Sequence, residues 1–144
     1  MGINLNIHSF KLRVIIGYSP TNVEENLHKK EEFYRNLKKA SNDVGKHRKI
    51  IFAGDFNAET AVVLEKTNYN GKTIVDDNIC NDNGQRLKSF CRAKNLCFPQ
   101  SYFSNPLEFR YTWYSCDGKT KKVLDYVLTS SFVQQYINRL CCIP

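Results

Sequence analysis

The chain has 144 residues, enough for one domain around a single core, and its 42% apolar and 12% aromatic content is that of a globular protein, not a disordered one. No apolar run approaches the roughly 20 residues that a membrane helix needs, and no signal-peptide or myristoylation pattern is found, so no membrane partner is expected. Lys and Arg total 21 against 14 Asp and Glu, a net charge of +7 that favours an anionic partner with nucleic acid first, although lysines that only keep a domain soluble would read the same way.

Six cysteines lie at 80, 91, 97, 116, 141 and 142, and none forms a C-x-x-C pair. All three histidines precede residue 48, so no zinc-finger spacing exists. Free thiols in an intracellular setting, nuclear or cytoplasmic, are the expectation.

In chain order, Phe10, Leu12, Val14 and Ile16 alternate with Lys11 and Arg13, the pattern of a strand entering a core. It ends at Tyr18-Ser19-Pro20-Thr21-Asn22, where Pro20 can neither donate to a ladder nor follow a helical residue easily. Asn22 and Glu25 have the spacing of a helix cap with its reciprocal acid. Val23, Leu27, Phe33, Leu37 and Ala40 then predict one apolar face of a helix over 23–42, ending near Asp43 and Gly45. Residues 49–54 read as a buried strand. The stretch 59–82 has no period and reads as irregular. Gly71-Lys72-Thr73 looks like the tail of a phosphate-binding loop but lacks its earlier glycine, so a turn is expected. A second helix over 83–95 turns Leu87, Phe90 and Cys91 inward and stops at Asn95. Leu96–Phe98 is a short strand. "FRYTWYS" (109–115) and "KVLDYVLTS" (122–130) read as a hairpin turned at Asp117-Gly118, followed by a last helical turn over 131–139. Mixed strands and helices in this order suit a layered α/β fold in one domain, 1–144.

Three places carry candidate chemistry. In "IIFAGDFNAE" (51–60) an apolar strand ends in Asp55 and Asn57, which strand alternation would place on one side while Phe56 enters the core. A carboxylate there can take a proton from water or bind Mg²⁺, and a neutral amide can hydrogen-bond a phosphate oxygen. For an isolated D-F-N, an Asx turn ending the strand is the favoured reading. Asp125 stands between Val123-Leu124 and Tyr126-Val127-Leu128, and an acid in such a strand is costly unless paired. It either orients a partner, usually a His, or is capped by backbone amides. Tyr18, at a strand end, can bond a phosphate oxygen or serve as a core or interface tyrosine.

Taken together, Y-S-P-T-N, I-I-F-A-G-D-F-N-A, Y-T-W-Y-S and L-D-Y-V-L resemble the endonuclease/exonuclease/phosphatase family over about Phe10 to Val133. The likeness is strongest to non-LTR retrotransposon endonuclease domains and craniofacial-development-protein-2-like chains. It implies a DNase I-like four-layer α/β sandwich and Mg²⁺-dependent cleavage of phosphate esters, with nucleic acid, DNA first, as the partner. By resemblance Tyr18 contacts the phosphate, Asp55 positions or activates water, Asn57 supports both, and Asp125 orients a catalytic His. Trp113 would sit near a DNA-facing rim or in the core.

The family's opening Asn and Glu metal ligands and its closing S-D-H have no counterpart here, so a partial sandwich, truncated at both ends, is expected, with unknown metal ligands. Apolar surface and strand edges should then lie uncovered. Three functions remain: a fragment of a Mg²⁺-dependent endonuclease, inactive as this chain; a basic nucleic-acid-binding remnant; or a phosphatase of small phosphate esters.

Overall fold

The computed structural model describes residues 2–8, 10–43, 48–61, 79–103, 105–106 and 109–142. Gly45 and Gly71-Lys72-Thr73 lie outside them.

Strand β1 (Gly2–Ile7) turns at His8 into β2 (Phe10–Tyr18) as an antiparallel pair. The sequence reading did not anticipate β1. Its apolar residues alternate with asparagines, which are poor strand formers, and pairing with β2 is what holds it extended. After β2, helix α1 (Leu27–Asn42) crosses back so that β3 (Lys49–Asp55) lies parallel to β2. Helix α2 (Asp82–Lys94) and the short β4 (Leu96–Cys97) follow. Strand β7 (Asp125–Ser130) then enters antiparallel between β3 and β4, giving the order β1-β2-β3-β7-β4. The chain has a mixed α/β architecture with helices packed on the main sheet. Ile15, Phe52 and Leu128 occupy neighbouring register positions on β2, β3 and β7 and belong to one buried cluster with Tyr34 and Leu37 of α1 and Leu87 and Phe90 of α2. Phe52 and Phe90 meet edge to face at 5.2 Å.

Four sequence expectations change. Residues Glu24–Asn26 form a 3₁₀ turn, and Asn22 does not cap α1. Its Oδ1 instead accepts from Lys30 Nζ at 3.5 Å and from the Asn83 amide at 3.4 Å, because α2 packs beside it. Val23 and Leu27 are exposed, and the buried stripe of α1 is Lys30, Tyr34, Leu37 and Ser41. Lys30 can lie there because its ammonium reaches Asp82 at 2.7 Å while its stem covers apolar surface.

The expected strand 122–130 is broken. β5 (Trp113–Tyr114) and β6 (Lys121–Lys122) form a separate two-stranded ribbon, and β7 starts only at Asp125. Between them Thr112 Oγ1 takes the amides of Leu124 and Asp125, at 3.0 and 3.1 Å, as a side-chain substitute for a ladder partner. The final helix, α3, spans only Ser131–Gln134. The Asn95 stop is as expected: left-handed at φ 52°, it donates its amide to the Arg92 carbonyl at 3.3 Å.

Gly54 has φ 145°, and a Cβ placed on it would lie 1.9 Å from the Gly17 carbonyl oxygen. Gly118, in the ribbon turn at φ 69°, has nothing within 4 Å of such a Cβ. Gly118→Ala should therefore cost about 1 kcal/mol, the local backbone penalty. Gly54→Ala should cost several times that in urea unfolding, because β2 and β3 must part.

Candidate active site

The parallel register of β2 and β3 sets Tyr18 beside Asp55, and the antiparallel register of β3 and β7 sets Asp55 opposite Asp125. Three residues distant in sequence thus form one row across the mouth of the sheet. The Phe56 amide donates to the Leu124 carbonyl at 2.9 Å, while the Asp55 carbonyl is turned toward β2 and accepts from the Ser19 amide at 2.8 Å. Asp55 and Asp125 are therefore a non-hydrogen-bonded pair, the kind in which opposed side chains come closest. Two like charges in that position oppose each other. Burial first, and the Asp125 charge as well, raise the Asp55 carboxyl above its ordinary range, against the Asn57 amide that lowers it.

Asn57 is not on the strand. It is left-handed at φ 46°, and its amide donates to Asp55 Oδ1 at 2.8 Å, which is the Asx turn. Strand alternation does not extend to it, and its Nδ2 donates to the Ser19 carbonyl at 2.8 Å. Its carbonyl accepts from Asn81 Nδ2 at 3.1 Å and from Asn83 Nδ2 at 3.3 Å. Asn83 is fully buried and also donates to the Pro20 carbonyl at 2.9 Å. Asn81 caps α2 by accepting from the Gly84 amide at 2.8 Å and takes the Glu59 amide at 3.1 Å. The sequence reading missed both asparagines. Asn81 carried an N-cap signal before a helical run, whereas Asn83 had none.

Tyr18 is 71% exposed, which excludes the core alternative. Among the described residues no backbone amide donates to the Asp125 carboxylate. Gln100 instead serves its backbone, donating to the Asp125 carbonyl at 3.3 Å and accepting the Val127 amide at 3.4 Å along the outer edge of β7. A cavity of about 250 Å³ opens beside Asp125, lined in part by Ala53, Val127, Phe98, Phe109 and Cys142. Burial and the Asp125 charge raise the Cys142 thiol. All six cysteines are free thiols. Trp113 is exposed on the ribbon, not in the core.

No set of three or more His, Cys, Asp or Glu suited to a metal exists among the described residues. The opposed Asp55 and Asp125 carboxylates nevertheless suit Mg²⁺, which is commonly held through one or two carboxylates with water and substrate phosphate completing its shell. No described helix is long and apolar enough to cross a membrane.

The fold has solved counterparts. The endonuclease domain of TRAS1, a telomere-specific non-LTR retrotransposon, aligns with 92% of this chain and 50% of its own at TM-score 0.53 and 12% identity. The 3′ phosphatase NExo from Neisseria, bound to a product DNA hairpin, aligns with 93% and 53% at TM-score 0.59 and 14% identity. An endonuclease/exonuclease/phosphatase protein from Leptotrichia buccalis aligns with 90% and 41% at TM-score 0.55 and 13% identity. The chain has the DNase I-like fold of the endonuclease/exonuclease/phosphatase proteins. In sequence it is similar to craniofacial development protein 2 of Bos taurus and of Tragulus javanicus, 29% identical over 119 residues, 83% of this chain. It spans 19% and 20% of those two proteins, about a fifth of their length. No family model matches the chain.

In this DNase I-like frame burial first, and the facing Asp125 as a smaller contribution, make an ionised Asp55 costly to the fold. The folded Asp55 carboxyl holds its proton to higher pH than the unfolded one. The resulting penalty is absent below the ordinary carboxylate range and full above the raised folded value. Asp55→Asn keeps the oxygen that accepts the Asn57 amide and removes the charge. It should raise stability at pH 7 by roughly 0.2–1 kcal/mol, the size of a cross-strand charge conflict. That gain should vanish near pH 3 in a thermal-unfolding series.

Proposed function

We propose that this chain carries the water-and-phosphate half of a Mg²⁺-dependent phosphodiesterase site of the retrotransposon endonuclease type, acting on nucleic acid, DNA first. The row of Tyr18, Asp55 and Asp125 across three strands is the observation that carries the reading. Asp55, at the centre of that row and with its carboxyl raised, would accept a proton from an attacking water. The exposed Tyr18 hydroxyl would donate to a phosphate oxygen, and its exposure supports that role. Asn57 is a positioning residue: it ties the Asp55 turn to Ser19 and to the start of α2. Asp125 would orient a partner group, and together with Asp55 would hold Mg²⁺. Bound there, the ion supplies neutralisation of the charge that develops on the phosphate.

The β5–β6 ribbon supports nucleic acid over a small phosphate ester. Trp113 and Tyr114 are exposed, and Lys121 Nζ lies 5.9 Å from the Tyr111 ring and 5.6 Å from the Tyr114 ring. Aromatic faces interleaved with lysine stack bases and meet phosphates. With the net charge of +7, binding should weaken steeply with salt. Trp113→Ala should lower affinity for a single-stranded oligonucleotide and leave the salt slope unchanged. Lys121→Ala should reduce that slope by about 1. Fluorescence anisotropy over a salt series reads both.

Catalysis needs more than two carboxylates, and no histidine follows His47 in the chain. The 144-residue chain should leave supercoiled plasmid intact in Mg²⁺. Joined to the flanking segments of the Bos taurus relative it should nick, and Asp55→Asn in that joined protein should reduce nicking by at least about 10²-fold. Nicking by the isolated chain that Asp55→Asn removes would show a complete site within these residues. Turnover of p-nitrophenyl phosphate without oligonucleotide binding would assign the site to small esters instead.

A further inference from the structure

The row at the mouth of the sheet is made of strand ends. Tyr18 and Asp55 are the last residues of β2 and β3, so the ladder that aligns them stops there. A turn follows each, and Asn83 lies between the two turns. Its side chain is fully buried, and its Nδ2 donates to the Pro20 carbonyl at 2.9 Å and to the Asn57 carbonyl at 3.3 Å. Pro20 is two residues beyond Tyr18, and Asn57 is two residues beyond Asp55. One amide group, with a hydrogen for each carbonyl, therefore spans both turns.

Asn83 Oδ1 is buried and has no hydrogen-bond donor among the described residues. An unpaired buried acceptor is costly, and in a folded protein it calls for a reason. The reverse orientation of the amide would set Oδ1 against two carbonyl oxygens and lose both bonds, so the donors decide which way the group points. Helix α2 does not need this side chain. Its cap is Asn81, and Asn83 is seated through its main chain: Asn22 Oδ1 accepts from its amide at 3.4 Å, and Tyr34 Oη donates to its carbonyl at 3.0 Å. The two turns are what the buried amide serves.

We propose that Asn83 is a positioning residue for Tyr18 and Asp55: it clamps the turns behind them and so fixes the distance between the phosphate contact and the water-activating carboxylate. The inference rests on the phosphodiesterase reading of the row. On the Asp55 side, Asn57 is left-handed at φ 46°, a conformation that an L residue enters at a cost. Two side-chain amides hold its carbonyl, that of Asn83 and that of Asn81 at 3.1 Å, and its own amide then reaches Asp55 Oδ1 at 2.8 Å. Oδ1 is thereby committed to the turn, and Oδ2 is the oxygen that remains for a water. On the Tyr18 side, Asn57 Nδ2 takes the Ser19 carbonyl at 2.8 Å and Asn83 takes the next one, Pro20. The exposed tyrosine thus stands on a fixed main chain.

Amide hydrogen exchange of the full chain, read by NMR, tests the clamp. Asn83→Leu keeps the bulk and removes both donors along with the unpaired oxygen. It should leave the urea midpoint close to that of the wild type. The Asn57 and Ser19 amides, both bonded to Asp55, should exchange at least about 10-fold faster, with the β3–β7 ladder unchanged. Asn83→Ser, too short to reach both carbonyls and too small to clash, should do the same where leucine disturbs folding. In the protein joined to the flanking segments of the Bos taurus relative, either variant should lower kcat for nicking by about 10²-fold with KM unchanged, the cost of a misplaced group. Equal exchange at Asn57 and Ser19 in wild type and variants would overturn the proposal. So would loss of protection throughout the sheet, or nicking that Asp55→Asn abolishes and both Asn83 variants retain. A joined protein that never nicks would instead sink the phosphodiesterase reading, and a local loss of protection would then still mark Asn83 as the clamp of the two turns.

Discussion

Gly54 rests against the Gly17 carbonyl at a distance no side chain tolerates, and the order of the site depends on that approach. It lets the last residues of β3 run in register beside the last residues of β2. Tyr18 and Asp55 become neighbours through it, and β7 completes the row by laying Asp125 against Asp55. A strand pair held apart by one methyl group would lose the alignment of groups that are otherwise independent in sequence.

Behind that row the chain spends asparagines where another fold would spend apolar contacts. Asn57, Asn81 and Asn83 join the end of β3, the loop after β2 and the start of α2 through main-chain carbonyls and amides. Amide side chains can donate and accept at once without adding charge, so they stitch a loop beside two acids without neutralising either. Lys30 and Asp82 extend the same connection to α1, with the lysine buried and the aspartate open to solvent. The result is a stiff frame around a turn that is itself left-handed at Asn57.

The acids at the mouth work against this stability. Opposed carboxylates in a non-hydrogen-bonded pair cost free energy, and nothing among the described residues neutralises them. Sites that bind charge commonly carry such conflict, since a cation or phosphate-bound water relieves it only when present.

The sequence by itself determined the local pieces: the alternation of 10–16, the apolar run into Gly54-Asp55, the inward face of α2, and the Asn95 stop. Each depends on near neighbours in the chain, through strand or helix period and backbone preference. It also marked Tyr18, Asp55, Asn57 and Asp125, through their motifs. Tertiary structure decided the rest. The buried Lys30 in α1 was invisible because its partner, Asp82, is far along the chain. Strand β1 was missed because only its ladder with β2 keeps it extended. The break before Asp125 arises where Thr112 Oγ1 replaces a ladder partner. That Asn57 turns back to Ser19 while Asp55 faces Asp125 follows from strand register, and register is set by the packing of whole sheets, which no local pattern contains.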